Sequence, residues 1–290
     1  MTTSPHLPAE SAIELRPASR FSIKDITIIY NQTRVDYLVP MPMNMARMTE
    51  YIQVYNIDLE SSYIALLKDK MIALGMLGVR AGRAWITRLG VLPGERRHGL
   101  GLTLMNALHD AAERKGLAFT MLEVIKNNTP AHKLFIRLGY REAGELLILR
   151  RPPGPPRVYP TAKATWLNRA EALALVNSRT GLPPWTNQNE SLNNAADVYG
   201  LQVALPDGSS GWLAHQRQRF VMGRFVMCTT TGAPVAVGRE LLAHLHDRFF
   251  DLDTHTENIS IGDPHLPAFY ELGYIEEFRR IEMYRGEFDK

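Results

Sequence analysis

The stretch GERRHGLGLTLM, Gly94 to Met105, combines basic side chains with a glycine-rich loop that leads into a helical pattern. Gly99 and Gly101 leave the backbone open to a ligand at a helix start, where amides lack intrahelical partners and the helix dipole is positive. Positive charge is added nearby by Arg96, Arg97 and His98. These residue types in this order predict an anion site, and a pyrophosphate fits it.

The same stretch lacks the marks of two common phosphate-binding motifs. No Gly-Lys-Ser/Thr follows the glycines, so it is not a P-loop. Leu104 stands where a dinucleotide fingerprint requires its third glycine. The loop by itself therefore predicts anion binding without identifying the ligand.

The pattern around the loop predicts the elements that position it. A strand (AIELRPA) and helices near Ser22–Tyr37 and Met45–Tyr55 precede a meander of three strands that turns at residues 68–70 and 81–83. A helix from about Leu102 to Lys115 follows the loop, and then a strand, FTMLEVI. Thr129 is the predicted cap of a helix that ends at Gly139, before a last strand, ELLILRR. This order predicts a mixed sheet with helices, in the α/β or α+β class.

The two halves of the sequence resemble each other. The segment NNTPAHKLFIRLGYRE (127–142) aligns without a gap with IGDPHLPAFYELGYIE (261–276), at an offset of 134 residues. Upstream, the tripeptide LHD occurs at 108–110 and again at 245–247, at an offset of 137. Capping signals could explain the shared prolines and glycines, but not Phe and Tyr at matching places. We therefore predict a duplicated domain.

The predicted domain boundaries lie at a proline-rich segment that interrupts regular secondary structure. The segment RRPPGPPRVYP, Arg150 to Pro160, contains five prolines, which a helix or central strand does not accommodate. We predict one domain over 1–150, a semi-rigid proline-rich linker over 151–160, and a second domain over 161–290.

The loop and its surroundings resemble the acyl-CoA loop of the GNAT N-acetyltransferase superfamily, whose pattern is Arg/Gln-x-x-Gly-x-Gly/Ala. A strand ending LGVLP precedes the loop, and Leu-Glu-Val follows the helix, as in that family. Asn-x-x-Ala, an aromatic residue four positions later and Gly-Tyr come next at the family's intervals. The resemblance covers Ile13 to Arg150, and its specific part is Leu89 to Tyr140.

The resemblance implies acetyl-CoA as cofactor and two tandem domains, each with a mixed, mostly antiparallel sheet flanked by helices. The pyrophosphate would bind the amides of Arg97, His98, Gly99, Leu100, Gly101 and Leu102, with Arg96 nearby. The pantetheine arm would pair with Leu89, Gly90 and Val91, with Asn128 and Phe135 flanking its far end. No metal site is predicted.

The resemblance also implies Glu123 as the catalytic base, because many members carry Glu at this position. A carboxylate in an otherwise apolar strand is partly buried, which raises its pKa toward the useful range. The alternative is a structural Glu that binds backbone. Phe135 stands where members with a general acid often carry Tyr, so the acid is unassigned. Asp36 and Tyr37 lie in the variable region that covers the acceptor site in this fold and are candidates as helpers.

The second half is predicted to be a degenerate copy. At the 137-residue offset, Ala233, Ala236 and Gly238 replace Arg96, Gly99 and Gly101, and Pro234 removes an amide donor. Glu257 corresponds to Glu123 and Gly262 to Asn128. Such a copy would shape the acceptor pocket or complete a pseudo-dimer.

Composition limits the partners. The 290 residues carry a net charge of +3 with scattered Lys and Arg, which indicates neither a nucleic-acid surface nor a basic membrane patch. The single cysteine, Cys228, is expected to be a buried small apolar residue and is typical of a reducing compartment. No signal-peptide or membrane-span pattern occurs, so a cytoplasmic protein is expected, either a monomer or a homodimer.

The sequence favours an acetyl-CoA-dependent N-acetyltransferase, active in its N-terminal domain on a small-molecule or peptide amine. A non-catalytic acyl-CoA-binding sensor or interaction module is the alternative. Phe135 and the degenerate second copy keep that alternative open.

Overall fold

The computed structural model describes residues 13–287, so Ala12, the first residue of the predicted N-terminal strand, lies outside the described part. The chain divides into two compact units. Among the described residues, unit 1 contains 13–120 and 286–287, and unit 2 contains 121–285. The predicted domain boundaries at 150 and 160 were drawn from the proline-rich segment and not from packing, and they stay a prediction.

Unit 1 has an antiparallel sheet in the strand order β1–β2–β3–β4, with helices before and after it. Its elements are β1 (Glu14–Pro17), α1 (Ile23–Gln32), α2 (Met45–Val54), β2 (Tyr63–Leu67), β3 (Lys70–Arg80), β4 (Arg83–Val91) and α3 (Leu100–Arg114).

Local sequence explains where these elements begin and turn. Ser22 and Asp25 form a reciprocal capping box that starts α1. Lys68 and Asp69 both have positive φ, 49° and 62°, as a tight two-residue hairpin between β2 and β3 requires. Gly82, with φ of 70°, makes the turn between β3 and β4. The two turns predicted in the meander are thus confirmed.

Helix α3 is anchored by its first turns. Leu100 and Leu104 are buried and form one apolar cluster with Ala65 of β2 and with Ile72 and Ala73 of β3. Burial of a leucine side chain stabilises such a contact by about 2 kcal/mol. The glycine-rich loop is therefore followed by a helix whose start is fixed against the sheet.

Unit 2 has the strand order β5–β12–β6–β11–β10–β9–β8–β7, in which β10 and β11 are parallel and the pairs of β6 with β11 and β12 are antiparallel. Strand β5 begins in unit 1 and passes into unit 2. The elements are β5 (Phe119–Ile125), α4 (Thr129–Arg137), β6 (Arg141–Arg151), β7 (Lys163–Leu167), α5 (Arg169–Asn177), α6 (Asn189–Asn194), β8 (Val198–Ala204), β9 (Ser210–Arg217), β10 (Val221–Thr231), α7 (Pro234–Arg248), β11 (Asp253–Ser260), α8 (Leu266–Glu271) and β12 (Ile275–Arg285).

The repeat seen in the sequence is also a repeat of elements. Helices α3 and α7 have 15 residues each, and strands β6 and β12 have 11 residues each. Both pairs begin 134 positions apart, as do β5 and β11. The offset of 137 predicted for the loop region is therefore wrong. It came from the short tripeptide match, whereas the helix starts align Gly99 with Ala233.

Some predicted boundaries differ from the structure. Helix α3 begins at Leu100, two residues before the predicted start, because left-handed Gly99 is its cap. Helix α1 ends at Gln32 rather than near Tyr37. Asn128, not Thr129, caps α4, since its side chain accepts the backbone N–H of Ala131.

The proline-rich segment packs within unit 2. The guanidinium of buried Arg151 donates to the carbonyls of Gly154, Pro155 and Leu272. Further along, the carboxylate of Glu240 accepts the backbone N–H groups of Thr161 and Ala162. The prolines explain the absence of regular structure here, and these contacts fix the path of the segment. No helix in the described residues has the length and apolar character needed to cross a membrane.

Candidate active site

A bulge in β4 precedes the predicted cofactor segment. Leu74 pairs with Gly90 and Met76 with Thr87, so Gly75 of β3 faces both Arg88 and Leu89. Arg88 takes a left-handed φ of 53° to accommodate the extra residue. Left-handed backbone at a non-glycine residue costs about 1–3 kcal/mol and is concentrated at functional sites.

The segment predicted to pair with pantetheine, Leu89 to Val91, begins with the second residue of this bulge. The carbonyl of Leu89 accepts from the Arg34 Nη2 atom at 3.3 Å, and that of Val91 accepts from the Arg96 Nε atom at 3.1 Å. At Gly90, a Cβ atom would lie 2.5 Å from Thr33 Oγ1, so a side chain cannot be accommodated there. Each carbonyl retains a second lone pair for a ligand amide.

The loop after β4 has the backbone of an anion site. Arg97 and Gly99 have positive φ values, 71° and 77°, and α3 begins immediately after Gly99. No side chain caps this helix start, so the first-turn amides receive no capping acceptor. The side chains of Arg97 and His98 are exposed, and in the described part of the chain neither makes an ion pair. Arg97, His98 and Gly99 therefore lie on one exposed loop at the start of α3.

Arg96 differs from its two basic neighbours in the loop. Its Nη1 and Nη2 atoms donate to the two carboxylate oxygens of Asp36, both at 2.7 Å, and Nη2 also donates to the Thr33 carbonyl. Hydrogen bonding to Arg96 lowers the pKa of Asp36. The fork of Arg96 thus connects the loop to the chain just after α1.

Glu123 lies on the part of β5 that belongs to unit 2. Its side chain is half-buried, and Oε1 accepts from the Asn258 Nδ2 atom at 3.3 Å. Asn258 in turn donates to Thr186 and accepts from Arg280. The carboxylate therefore has a fixed neighbour from β11.

A second carboxylate, Glu282 on β12, interacts with Glu123. Burial, and then the negative charge of Glu123, raise the pKa of Glu282 to about 7. Its Oε1 atom is buried without a hydrogen-bond partner. Burial raises the pKa of the neighbouring Tyr284 phenol, and Glu282 raises it further. The sequence analysis missed Glu282 because only the pairing order of unit 2, in which β12 neighbours β5, brings it near Glu123.

Two further predicted site residues, Asn128 and Phe135, have structural roles. Asn128 caps α4, as described above. Phe135 is buried and packs edge-on against Tyr140, with ring centroids 6.0 Å apart. Phe135 has no hydroxyl group, and the ring of Tyr140 is buried, so neither provides an exposed acid. Their contact with a cofactor stays a prediction.

The C-terminal copy repeats the bulge but not the loop. Strand β10 has left-handed Arg224, also at 53°, where its register with β9 shifts. Helix α7, by contrast, begins with extended Ala233 followed by Pro234, whose nitrogen cannot donate. This loop has one left-handed residue, Gly232 with φ of 82°, where the N-terminal loop has two, and it lacks one amide donor.

Cys228 lies in this copy, and the expectation that it is buried is wrong. It is half-buried and lines a cavity of about 460 Å³ with Thr229 and His265. Strands β10 and β11 pair at only two positions, at Val221 and Met222, and β10 continues past them to Cys228. The cavity lies next to this part of β10, which does not pair with β11. Trp185 and Trp212 of the same unit are buried and contribute to its packing.

Comparison with known proteins finds similarities in the N-terminal half of the sequence. Residues 29–140 match the model of the acetyltransferase (GNAT) family. This segment is similar to the GNAT family and makes up less than half of the chain. In the curated proteins, the [ribosomal protein bS18]-alanine N-acetyltransferase of Escherichia coli K12 is 36% identical over 74 residues, which are 26% of this chain and 50% of that protein. The chain thus spans about half the length of the curated relatives it matches.

Solved structures extend the similarity of fold over both halves. A GCN5-related N-acetyltransferase from Sphaerobacter thermophilus has a TM-score of 0.71 at 16% identity, covering 98% of this chain and 99% of that chain. A tandem GNAT protein from the clavulanic acid biosynthesis pathway has a TM-score of 0.67 at 12% identity, covering 96% and 100%. At these identities the likeness shows a shared fold and no more.

Proposed function

We propose that this chain is an acetyl-CoA-dependent N-acetyltransferase whose active site lies in its N-terminal GNAT domain. Left-handed Gly99, which opens α3 without a side-chain cap, is the observation that carries the proposal. First-turn amides at such a helix start bind phosphate oxygens. The pyrophosphate of acetyl-CoA binds the backbone of Arg97 to Leu102, and the pantetheine arm pairs with Leu89 to Val91.

The reaction is a direct acyl transfer. The neutral amine nitrogen attacks the thioester carbonyl carbon, the new C–N bond forms, and the C–S bond breaks. The amine loses a proton to Glu123, directly or through water, and the CoA thiolate leaves and takes up a proton from the medium. A backbone N–H near Val91 stabilises the oxyanion. The half-burial of Glu123 and its contact with Asn258 support its assignment as the base.

The acceptor is a primary amine of a small molecule or a peptide. The names of the curated relatives describe acetylation of an alanine on ribosomal protein bS18, which is an example of a peptide amine. That similarity is confined to 74 residues. It supports the reaction class rather than this particular acceptor.

Replacement of Gly99 tests the cofactor site. Valine at a φ of 77° strains the loop and places a branched side chain over the first-turn amides, so we expect Gly99→Val to weaken acetyl-CoA binding at least about tenfold. Gly82→Val is the matched control, because Gly82 has a φ of 70° on the β3–β4 turn. Calorimetric titration should show one site per wild-type chain. Unchanged binding by Gly99→Val would place the cofactor elsewhere.

Release of the CoA thiol across a panel of amines tests catalysis. Glu123→Gln removes the base, so we expect turnover to fall about 10²-fold or more while acetyl-CoA binding is kept. Glu142→Gln, an exposed carboxylate paired with His132, is the control. Cys228 contributes one constant thiol per chain to the background. Full activity of Glu123→Gln would remove Glu123 from the mechanism.

A non-catalytic acyl-CoA-binding module is the second candidate. It is favoured by buried Phe135, which has no proton to donate to the leaving thiolate. If acetyl-CoA binds at the Gly99 loop and no amine in the panel raises thiol release above background, this second function replaces the first.

A further inference from the structure

Three side chains in unit 2 are joined in series by hydrogen bonds. Thr229 lies on β10, and Asp263 and His265 lie in the turn between β11 and α8. The Thr229 Oγ1 atom lies 2.8 Å from the His265 Nε2 atom. The His265 Nδ1 atom lies 2.9 Å from the Asp263 Oδ1 atom. These distances are typical of a nucleophilic hydroxyl, its base and the carboxylate that orients the base.

The direction of both hydrogen bonds follows from the carboxylate. An ionised Asp263 can only accept, so it accepts the Nδ1–H of His265. In the neutral imidazole the Nε2 atom then has a lone pair, and the hydroxyl of Thr229 donates to it. The proton of Thr229 is therefore directed at the ring atom that can take it up.

The imidazole of His265 is held in one orientation. The Asp263 Oδ1 atom accepts the backbone N–H of His265 at 2.8 Å as well as its ring N–H. The side chain is buried, and α7 packs closely against it, since a Cβ atom at Gly238 would lie 3.3 Å from His265 Cβ. General base catalysis depends on such a fixed position of the base.

All three side chains line the cavity of about 460 Å³ described above, a volume suited to a small ligand. Thr229 is half-buried, whereas His265 is buried. Helix α7 begins beside this cavity with Pro234 and has no side-chain cap. The positive end of its dipole thus adjoins the cavity, where it favours a negative charge that develops on a bound ligand.

We propose that Thr229 and His265 form a second catalytic site, positioned by Asp263, which hydrolyses a small carboxylic ester or thioester. Thr229 Oγ1 attacks the acyl carbon and its proton passes to His265 Nε2. The bond from the acyl carbon to the leaving oxygen or sulfur breaks, and the leaving group takes that proton. Water then attacks the acyl–threonine ester, a proton returns through His265 to Thr229, and the carboxylic acid is released.

Hydrolysis by the full chain, with neither amine nor CoA present, tests this site. The probes are p-nitrophenyl acetate and the thioester S-acetyl-N-acetylcysteamine, and the release of nitrophenol or thiol is measured. We expect the wild type to hydrolyse at least one probe faster than buffer does. Thr229→Val removes the hydroxyl and keeps the shape, so the rate should fall about 10²-fold or to that of buffer. Thr230→Val, at an exposed position on the same cavity, is the matched control and should keep the rate.

Two further variants test the roles of the other side chains. His265→Gln removes the base and should lower the rate as much as Thr229→Val, which keeps the test decisive if Thr229→Val does not fold by circular dichroism. Asp263→Asn disturbs the tautomer of His265, so kcat should fall while KM is kept. Cys228→Ser removes the neighbouring thiol, which is itself a nucleophile, and should keep the rate.

The proposal is overturned if the wild type hydrolyses neither probe faster than buffer. It is also overturned if hydrolysis survives the loss of the Thr229 hydroxyl or disappears in Cys228→Ser. The assay contains no amine acceptor, so its result does not depend on the acetyl transfer proposed for the N-terminal domain.

Discussion

At the residue scale, the environment of Glu282 differs from what its sequence context indicates. Its own strand is rich in charged side chains, yet its carboxyl is buried, with one oxygen unpaired. Glu123 from β5 and Tyr284 from β12 interact with it electrostatically. A folded-state pKa of about 7 means that Glu282 holds a proton over part of the neutral range.

This shift predicts a pH-dependent contribution to stability. The pKa rises from 4.5 to about 7 on folding, so the stabilising contribution is complete below pH 4.5 and is lost as pH rises through about 7. We expect Glu282→Gln to be more stable than wild type at pH 8, by up to about 3 kcal/mol. The difference should vanish below about pH 4.5. Denaturant unfolding at pH 4, 5, 6, 7 and 8 measures it.

The difference in unfolding free energy between Glu282→Gln and wild type does not include the effects of other groups that titrate in both proteins. His215 and His246 are buried in unit 2, and burial lowers the pKa of both to about 3. Both chains contain them, so their effect cancels in the difference. Glu142→Gln, at an exposed position, should show little pH-dependent change. A Glu282→Gln curve parallel to wild type over this range would contradict the shifted pKa.

At the scale of elements, the end of α1 is tied to the start of α3 through Asp36 and Arg96. Arg96 has five N–H donors, and four of them are used by Asp36, Thr33 and Val91. One donor is left for a phosphate. The backbone of the loop, rather than Arg96, therefore provides most of the predicted anion site.

Releasing Arg96 should strengthen that site. In Asp36→Asn the guanidinium is no longer neutralised, so we expect acetyl-CoA to bind roughly three- to tenfold more tightly, with the gain shrinking as salt is added. Calorimetric titration at two salt concentrations measures the change. Asp69→Asn is the control, since Asp69 pairs with Arg16 on the β2–β3 turn. Weaker binding of acetyl-CoA by Asp36→Asn would show instead that the Asp36–Arg96 ion pair keeps the loop in its binding conformation.

At the scale of the whole molecule, β6 shows how the two sequence halves depend on each other. The first half of the sequence encodes β6, yet it pairs with β12 along nearly its full length and with β11 on its other edge. Its apolar residues Leu146 to Leu149 are all buried. Both neighbouring strands come from the second half of the sequence.

This pairing predicts the behaviour of a fragment. A chain ending at residue 150 keeps β6 but loses both pairing strands, so it exposes two unpaired edges and a run of apolar side chains. We expect it to aggregate or to lack cooperative thermal unfolding by circular dichroism. A chain ending at residue 287 keeps β12 and should unfold cooperatively. Cooperative unfolding of the shorter fragment would support 1–150 as an independent domain.

Features that depend on local patterns could be predicted from the order of residues alone. The hairpin turns at residues 68–70 and 81–83, the strand FTMLEVI and the helix after the loop follow from short-range propensity and hydrophobic period. The tandem GNAT resemblance follows from spacing along the chain. The predicted helix ends were less accurate, because the residue that caps a helix is set by the backbone conformation of single residues such as Gly99 and Asn128.

Only the tertiary structure decided which distant groups share an environment. The pairing order β5–β12–β6 brings Glu282 within electrostatic range of Glu123. Arg88, at the bulge in β4, lies near the same aromatic ring, that of Tyr30, as Arg34 does. Periodicity fixes which face of a strand a residue occupies, but not which strand lies beside it. Burial and neighbouring charge set pKa values and ion pairing, so the roles of these residues depend on strand order and packing.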